Sequence, residues 1–164
     1  MRIRILAYVI IILFCGYTAA NPISIRGLDI SKNMYQLGAD LKKLGLTCFD
    51  HTPSMSRLNG YRCGISKDFD WLNEWKISIW YFPDSELPKS IMFNCSYLDI
   101  CRFSPSNAIK LIEKSIPNLS KKIKSDNDWV WNGEDGDTIK LNIDKSGNVS
   151  TLDIQRADFV TKNE

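Results

Sequence analysis

Trp75-Lys76-Ile77-Ser78-Ile79-Trp80-Tyr81-Phe82 is the stretch on which the fold turns. Ile77 and Ile79 alternate with Ser78 and Trp80, the period of two that sends successive side chains to opposite faces of a β-strand. The same alternation returns in Ile91 and Phe93, in Ile139, Leu141 and Ile143, and in Leu152 and Ile154. One apolar face per strand is the pattern of an antiparallel sheet covered on a single side. Turn residues bound these segments: Asn59-Gly60, Pro83-Asp84-Ser85 and Pro88 in the first half, then Asn132 to Asp137 and Asp144 to Asn148 in the second. Strands are therefore expected at about 60–65, 75–82, 90–95, 128–131, 138–143 and 149–154.

Outward from the strands lie two segments of helical period. Met34, Leu37, Leu41 and Leu44 form one apolar stripe, with Ser31 expected as N-cap and Gly45 where a left-handed C-terminal cap belongs. In the second, Ser104 and Pro105 supply an N-cap and a first helical residue, Ala108, Leu111, Ile112 and Ser115 form the inner stripe, and Pro117 ends the helix. Helix followed by three strands thus occurs twice. The expected fold is α+β, a tandem repeat of a helix plus a three-stranded antiparallel sheet unit, with the helices on one side of the sheet. Residues 21–100 form the first module and 101–164 the second, separate or as one continuous domain.

The first 20 residues have a different composition. Arg2 and Arg4 precede an apolar run from Ile5 to Phe14, which gives way to Gly16, Thr18, Ala19 and Ala20. Basic start, apolar middle and small residues at the cut are the three parts of a secretory signal peptide, and the run is shorter than the ~20 residues a membrane span needs. A lipidated Cys15 is excluded because the bulky Phe14 precedes it. The segment holds two of the 21 basic residues and none of the 19 acidic ones, so the mature chain is formally neutral. A balanced surface offers no net field for nucleic acid or anionic lipid, and no membrane insertion is expected after cleavage.

Cleavage also removes Cys15 and leaves Cys48, Cys63, Cys95 and Cys101 in an oxidising compartment. An even count points to two disulfides, and of three possible pairings the close spacing within each half favours Cys48 with Cys63 and Cys95 with Cys101. Structural zinc wants tighter spacings and usually histidines, whereas His51 is the single histidine; no metal or cofactor is expected.

Catalytic constellations are scarce for the same reason. His51 beside Asp50 has no nucleophile motif near it, and Asp68, Asp70 and Glu74 offer carboxylates without a spacing that singles them out. Glu134 to Asp137 and Asp144 to Asn148 lack the ligand spacing of a calcium loop and read as hairpin turns. Asn94, Asn118 and Asn148 each open an Asn-x-Ser triplet, and Lys114, Lys121, Lys122 and Lys124 read as a solvated surface. The aromatic content stands out instead. Trp71, Trp75, Trp80, Trp129 and Trp131 all fall within or beside expected strands. If Ile77 and Ile79 face the helices, Trp75 and Tyr81 go with them while Trp80 and Phe82 point away. Trp80 and Phe82, with one or both of Trp129 and Trp131, are the expected contact patch on the uncovered face.

The helix from Ser31 to Leu44 with Cys48 and Cys63, followed by the helix from Pro105 to Ser115 and its three strands, resembles the beta-lactamase inhibitory proteins. The small envelope modules of the barrel-assembly lipoprotein type are similar in architecture. Cys95 and Cys101 depart from that pattern, falling between the units, so no target is carried over. The resemblance implies a tandem helix and sheet fold and a binding role. The expected function is an exported, non-catalytic protein-binding domain, an inhibitor or immunity-type factor that engages another exported protein. A structural or assembly component of the bacterial envelope and a small secreted hydrolase are the alternatives. If the leader is processed as its composition dictates, N-terminal sequencing of the exported protein reads Asn21 as the first residue; retention of residues 1–20 would show an anchor instead.

Overall fold

The computed structural model describes residues 23–51, 57–70, 72–116, 119–125, 128–133 and 136–157; the expected signal segment, Trp71, Pro117, Asn118, Glu134 and Asp135 lie outside them. In chain order the elements are β1 (Ser24–Ile25), β2 (Leu28–Asp29), α1 (Met34–Lys43), β3 (Thr47–Asp50), β4 (Asn59–Gly64), β5 (Ile77–Tyr81) and β6 (Ser90–Asn94). They continue with α2 (Pro105–Ser115), β7 (Lys121–Ser125), β8 (Asp128–Asn132), β9 (Thr138–Ile143) and β10 (Val149–Gln155). Among the described residues, no helix is long and apolar enough to cross a membrane.

The period-two segments all become strands of one antiparallel sheet, ordered β3-β4-β5-β6-β10-β9-β8-β7. Each helix is followed by a meander of four strands, where the sequence indicated three. The added strand is the outermost of each meander, β3 or β7. Last strand meets last strand at the centre, with Ile91 opposite Ile154 and Phe93 opposite Leu152. The described strands of segments 21–100 and 101–164 from β3 onward therefore share one sheet.

Both helices contribute to one apolar cluster with a single face of this sheet. Leu37 and Leu41 from α1 and Ala108, Ile109 and Ile112 from α2 are buried together with Ile77, Ile79, Ile91, Phe93, Ile139, Leu141, Leu152 and Ile154. The alternation thus identified the covered face correctly. The helix stripes need correction: Leu44, Leu111 and Ser115 are exposed, and Ile109 takes the inward position.

Local chemistry sets the helix ends. The first N-cap is Asn33 rather than Ser31, because Asn33 and Gln36 form a capping box in which each side chain accepts the other residue's backbone N–H. Ser31 instead donates its backbone N–H to the Asp29 carboxylate, 2.8 Å away. At the other end Gly45 has φ +72°. Its N–H donates to Lys42 O and that of Leu46 to Leu41 O, the two bonds of a Schellman cap. Ser104 and Pro105 hold their expected places at the start of α2.

Two disulfides are present. Cys48 and Cys63 are directly paired across β3 and β4, and Cys95 and Cys101 close the turn that follows β6. Bridges over separations of 15 and 6 residues restrict the unfolded chain by about 3 and about 2 kcal/mol in the loop-entropy model. The pairing is the one that the spacing favoured, and it fits an oxidising compartment.

Trp131 is the largest fully buried side chain, 1% exposed on the helix-covered face, with its indole N–H donating to Glu113 Oε1 at 3.1 Å. The expected place of Trp131 in an open-face patch is thereby corrected. It lies opposite Ile139, and Trp129, opposite Leu141, is half-buried against the same core. Replacing Trp131 by alanine is expected to lower the unfolding free energy by about 3–5 kcal/mol in a denaturant titration; a loss under about 1 kcal/mol would contradict its core position.

Candidate functional site on the open face of the sheet

The face turned away from the helices is built as two lateral rows, fixed by strand register. Phe49, Arg62, Ser78, Met92, Asp153, Lys140 and Val130 form one; Gly60, Trp80, Ser90, Gln155, Thr138 and Asn132 form the other. The β3–β5 end of this surface is aromatic and cationic, whereas the β10–β9 end is polar.

Trp80 lies where the sequence placed it, and the reason it can lie flat is Gly60. A Cβ at Gly60 would come within 2.6 Å of Trp80 Cζ3, so the indole occupies the space a side chain would fill. Phe69 covers Gly64 in the same way, with 2.4 Å between its ring and a Cβ built there. Glycine inside a strand forfeits side-chain packing, and a neighbouring aromatic laid across it restores the contact. Phe49, 44% exposed, tilts against Phe69 with ring centres 5.5 Å apart. The Arg62 guanidinium stands 5.6 Å from the centre of the Trp75 ring, a cation–π geometry. Trp75 thus meets a residue of the open face and not the helix layer expected for it. Phe82, one residue beyond β5, is half-buried under the Lys89 ammonium at 5.3 Å.

Of the four expected contact residues, then, Trp80 and Phe82 are near neighbours on the β5 side, and Trp129 and Trp131 are across the sheet. Phe49 and Arg62 join the surface without having been singled out, and Trp75 joins it from the side opposite to the one expected. Arg62 and Phe49 could have been found from the cysteines: once Cys48 and Cys63 are assigned to the covered side, their neighbours in sequence must point away.

His51 meets Trp80 edge-on, 5.9 Å between ring centres, and its backbone N–H donates to Gly60 O. Burial first, then the charge of Arg62, lowers its pKa from the ordinary imidazole value, against the pull of Asp50. The imidazole is therefore neutral at pH 7 and serves as a flank of the Trp80 ring. Asp70 and Glu74 are engaged in one local turn: Asp70 accepts from Leu72 N–H and Asn73 Nδ2, and Glu74 accepts from Asp70 N–H. Those donors hold the Asp70 carboxyl below its usual range. Asp144 accepts from the amides of Ser146 and Asn148, the hairpin turn expected there. No group of three or more His, Cys, Asp or Glu able to hold a metal ion occurs among the described residues.

The polar end holds one buried acid. Asp153 is 3% exposed, accepts from Ser90 Oγ and from Gln155 Nε2 at 2.6 Å each, and faces Lys140 across the β10–β9 pair. Loss of hydration outweighs these favourable contacts, so its pKa is raised from 3.8.

Set against models of protein families, curated proteins and solved structures, the chain matches none. Its chemistry is therefore read from its own surfaces.

Because the folded pKa of Asp153 exceeds the unfolded one, its contribution favours folding at low pH and is lost as pH rises through the folded value. Asp153→Asn lacks that loss. The difference in unfolding free energy between the variant and the wild type should move in the variant's favour from pH 3 to pH 7, as measured by urea titration at each pH. A constant difference would show that the carboxylate ionises without cost.

Proposed function

We propose that the chain is an exported, non-catalytic protein-binding domain that acts as an inhibitor or immunity-type factor on another exported protein. The observation that carries this reading is the aromatic and cationic half of the open face. Arg62 lies opposite Phe49 and over the Trp75 ring, with Trp80 on the next row of the same face, on a sheet stapled at that edge by Cys48–Cys63. Tryptophan and arginine are the residues most enriched among those that dominate interface energy, and a rigid backbone lowers the ordering cost of association. The leader composition and the two disulfides support export into an oxidising compartment. The proposed evolutionary origin is duplication of a helix and strand meander. Element order recurs in the two halves, and their sheets meet by equivalent last strands.

An assembly component of the bacterial envelope is the second reading; it would be found in stable membrane complexes. The mature domain, used as bait in the exported fraction, should retain one partner in stoichiometric amount. Trp80→Ala and Phe49→Ala should each weaken that partner's binding by at least about 2 kcal/mol if they are anchors. Thermal unfolding of the same variants separates the cases. Retained stability with lost binding supports the surface, whereas lost stability with normal residual binding places these rings in the fold alone.

A further inference from the structure

The opposite side of the same sheet carries a second feature that the open face does not explain. Between the start of α1 and strands β4 and β5 runs a cleft of ≈ 480 Å³, lined by Asn33, Met34, Tyr35, Tyr61, Tyr81 and Glu86. It adjoins an apolar hollow whose walls include Met34, Leu41, Cys48 and Ile79. Tyr61 and Tyr81 are stacked on one another, 5.6 Å apart and 15° from parallel. Tyr35 stands on the first turn of α1, 87% exposed. An aromatic ring so exposed on a helix gains nothing for the fold.

The charge of the cleft is one-sided. Among the described lining residues Glu86 is the charged one, and the field of Asp50 reaches Tyr81 from β3, on the far side of β4. A helix start would ordinarily draw an anion, but here most of its amides are taken. Asn33 N–H donates to the Gln36 side chain, Met34 N–H to Glu86 O, Gln36 N–H to the Asn33 side chain and Leu37 N–H to Asn33 O. Burial, with the Tyr61 hydrogen bond, pushes the Tyr81 pKa up to about 12, so its phenol stays neutral under physiological conditions. What remains is three electron-rich rings, a carboxylate and an apolar hollow beside them.

We infer that this cleft is a receptor for a cationic side chain, lysine or arginine, presented by a partner polypeptide. The ammonium or guanidinium sits against the Tyr35, Tyr61 and Tyr81 rings within reach of Glu86, and the methylene stem lies along the apolar hollow. A neutral aliphatic side chain satisfies the hollow but leaves the rings and the carboxylate without their counter-charge. The inference concerns the helix-covered side, so it stands or falls separately from the open-face reading.

The test uses the disulfide-bonded protein with isotopically labelled tyrosine and four short capped peptides of the form Gly-X-Gly, X being lysine, arginine, norleucine or citrulline. The lysine or the arginine peptide should shift the Tyr35, Tyr61 and Tyr81 resonances saturably, with the matching neutral peptide at least about tenfold weaker. Tyr35→Ala, at an exposed position that leaves the fold intact, should reduce affinity about threefold or more, and Glu86→Gln should do the same for the cationic peptide only. Equal binding of charged and neutral peptides, unchanged affinity in Tyr35→Ala, or no saturable shift with either cationic peptide would each overturn it.

Discussion

The pairing of β6 with β10 is the contact on which the rest of the molecule depends. Ile91 against Ile154 and Phe93 against Leu152 place four apolar side chains at the centre of the covered face. Each meander alone would leave its last strand as an open edge and its helix with half a core. Joined there, eight strands acquire a common layer into which α1 and α2 both pack.

A sheet covered on one side divides its chemistry between two faces. The helix side takes the aliphatic residues and Trp131, whose polar nitrogen is satisfied by Glu113. The open side keeps small residues where rings must lie down, as Gly60 does for Trp80 and Gly64 for Phe69. Aromatics there are held in place by packing against backbone, so they present fixed shapes at little conformational cost. At one edge of the sheet, β3 is short and bridged to its neighbour by Cys48–Cys63.

Much of this architecture was legible because burial imposes period. The alternation alone assigns Ile77 and Ile79, Ile139 and Leu141, and Leu152 and Ile154 to one face, and Gly45 marks the end of α1. Thr47-Cys48-Phe49-Asp50 showed no such signal: it is four residues long, lies at an edge and is only partly covered, so no hydrophobic alternation is required of it. Lys121 to Ser125 was obscured by its charge. The aromatic surface was half legible. Alternation within β5 placed Trp80, but Trp129 and Trp131 share a face with each other, and deciding which face needs the register with Ile139 and Leu141. Trp75 escaped because it precedes the regular ladder, where period two no longer applies.

The position of β6 also dictates an order of events as the chain is made. Strands β3 to β6 are complete by Asn94, yet the strand that seals β6 begins at Val149 and is the last strand among the described residues. Until residues 149–155 emerge, β6 presents unpaired backbone along the edge that β10 later fills. The nascent protein therefore passes through a stage with a sticky interior edge, and a chain that stops short of β10 keeps it. Any truncation or stall before Val149 leaves the central seam of the native sheet as an open, adhesive margin.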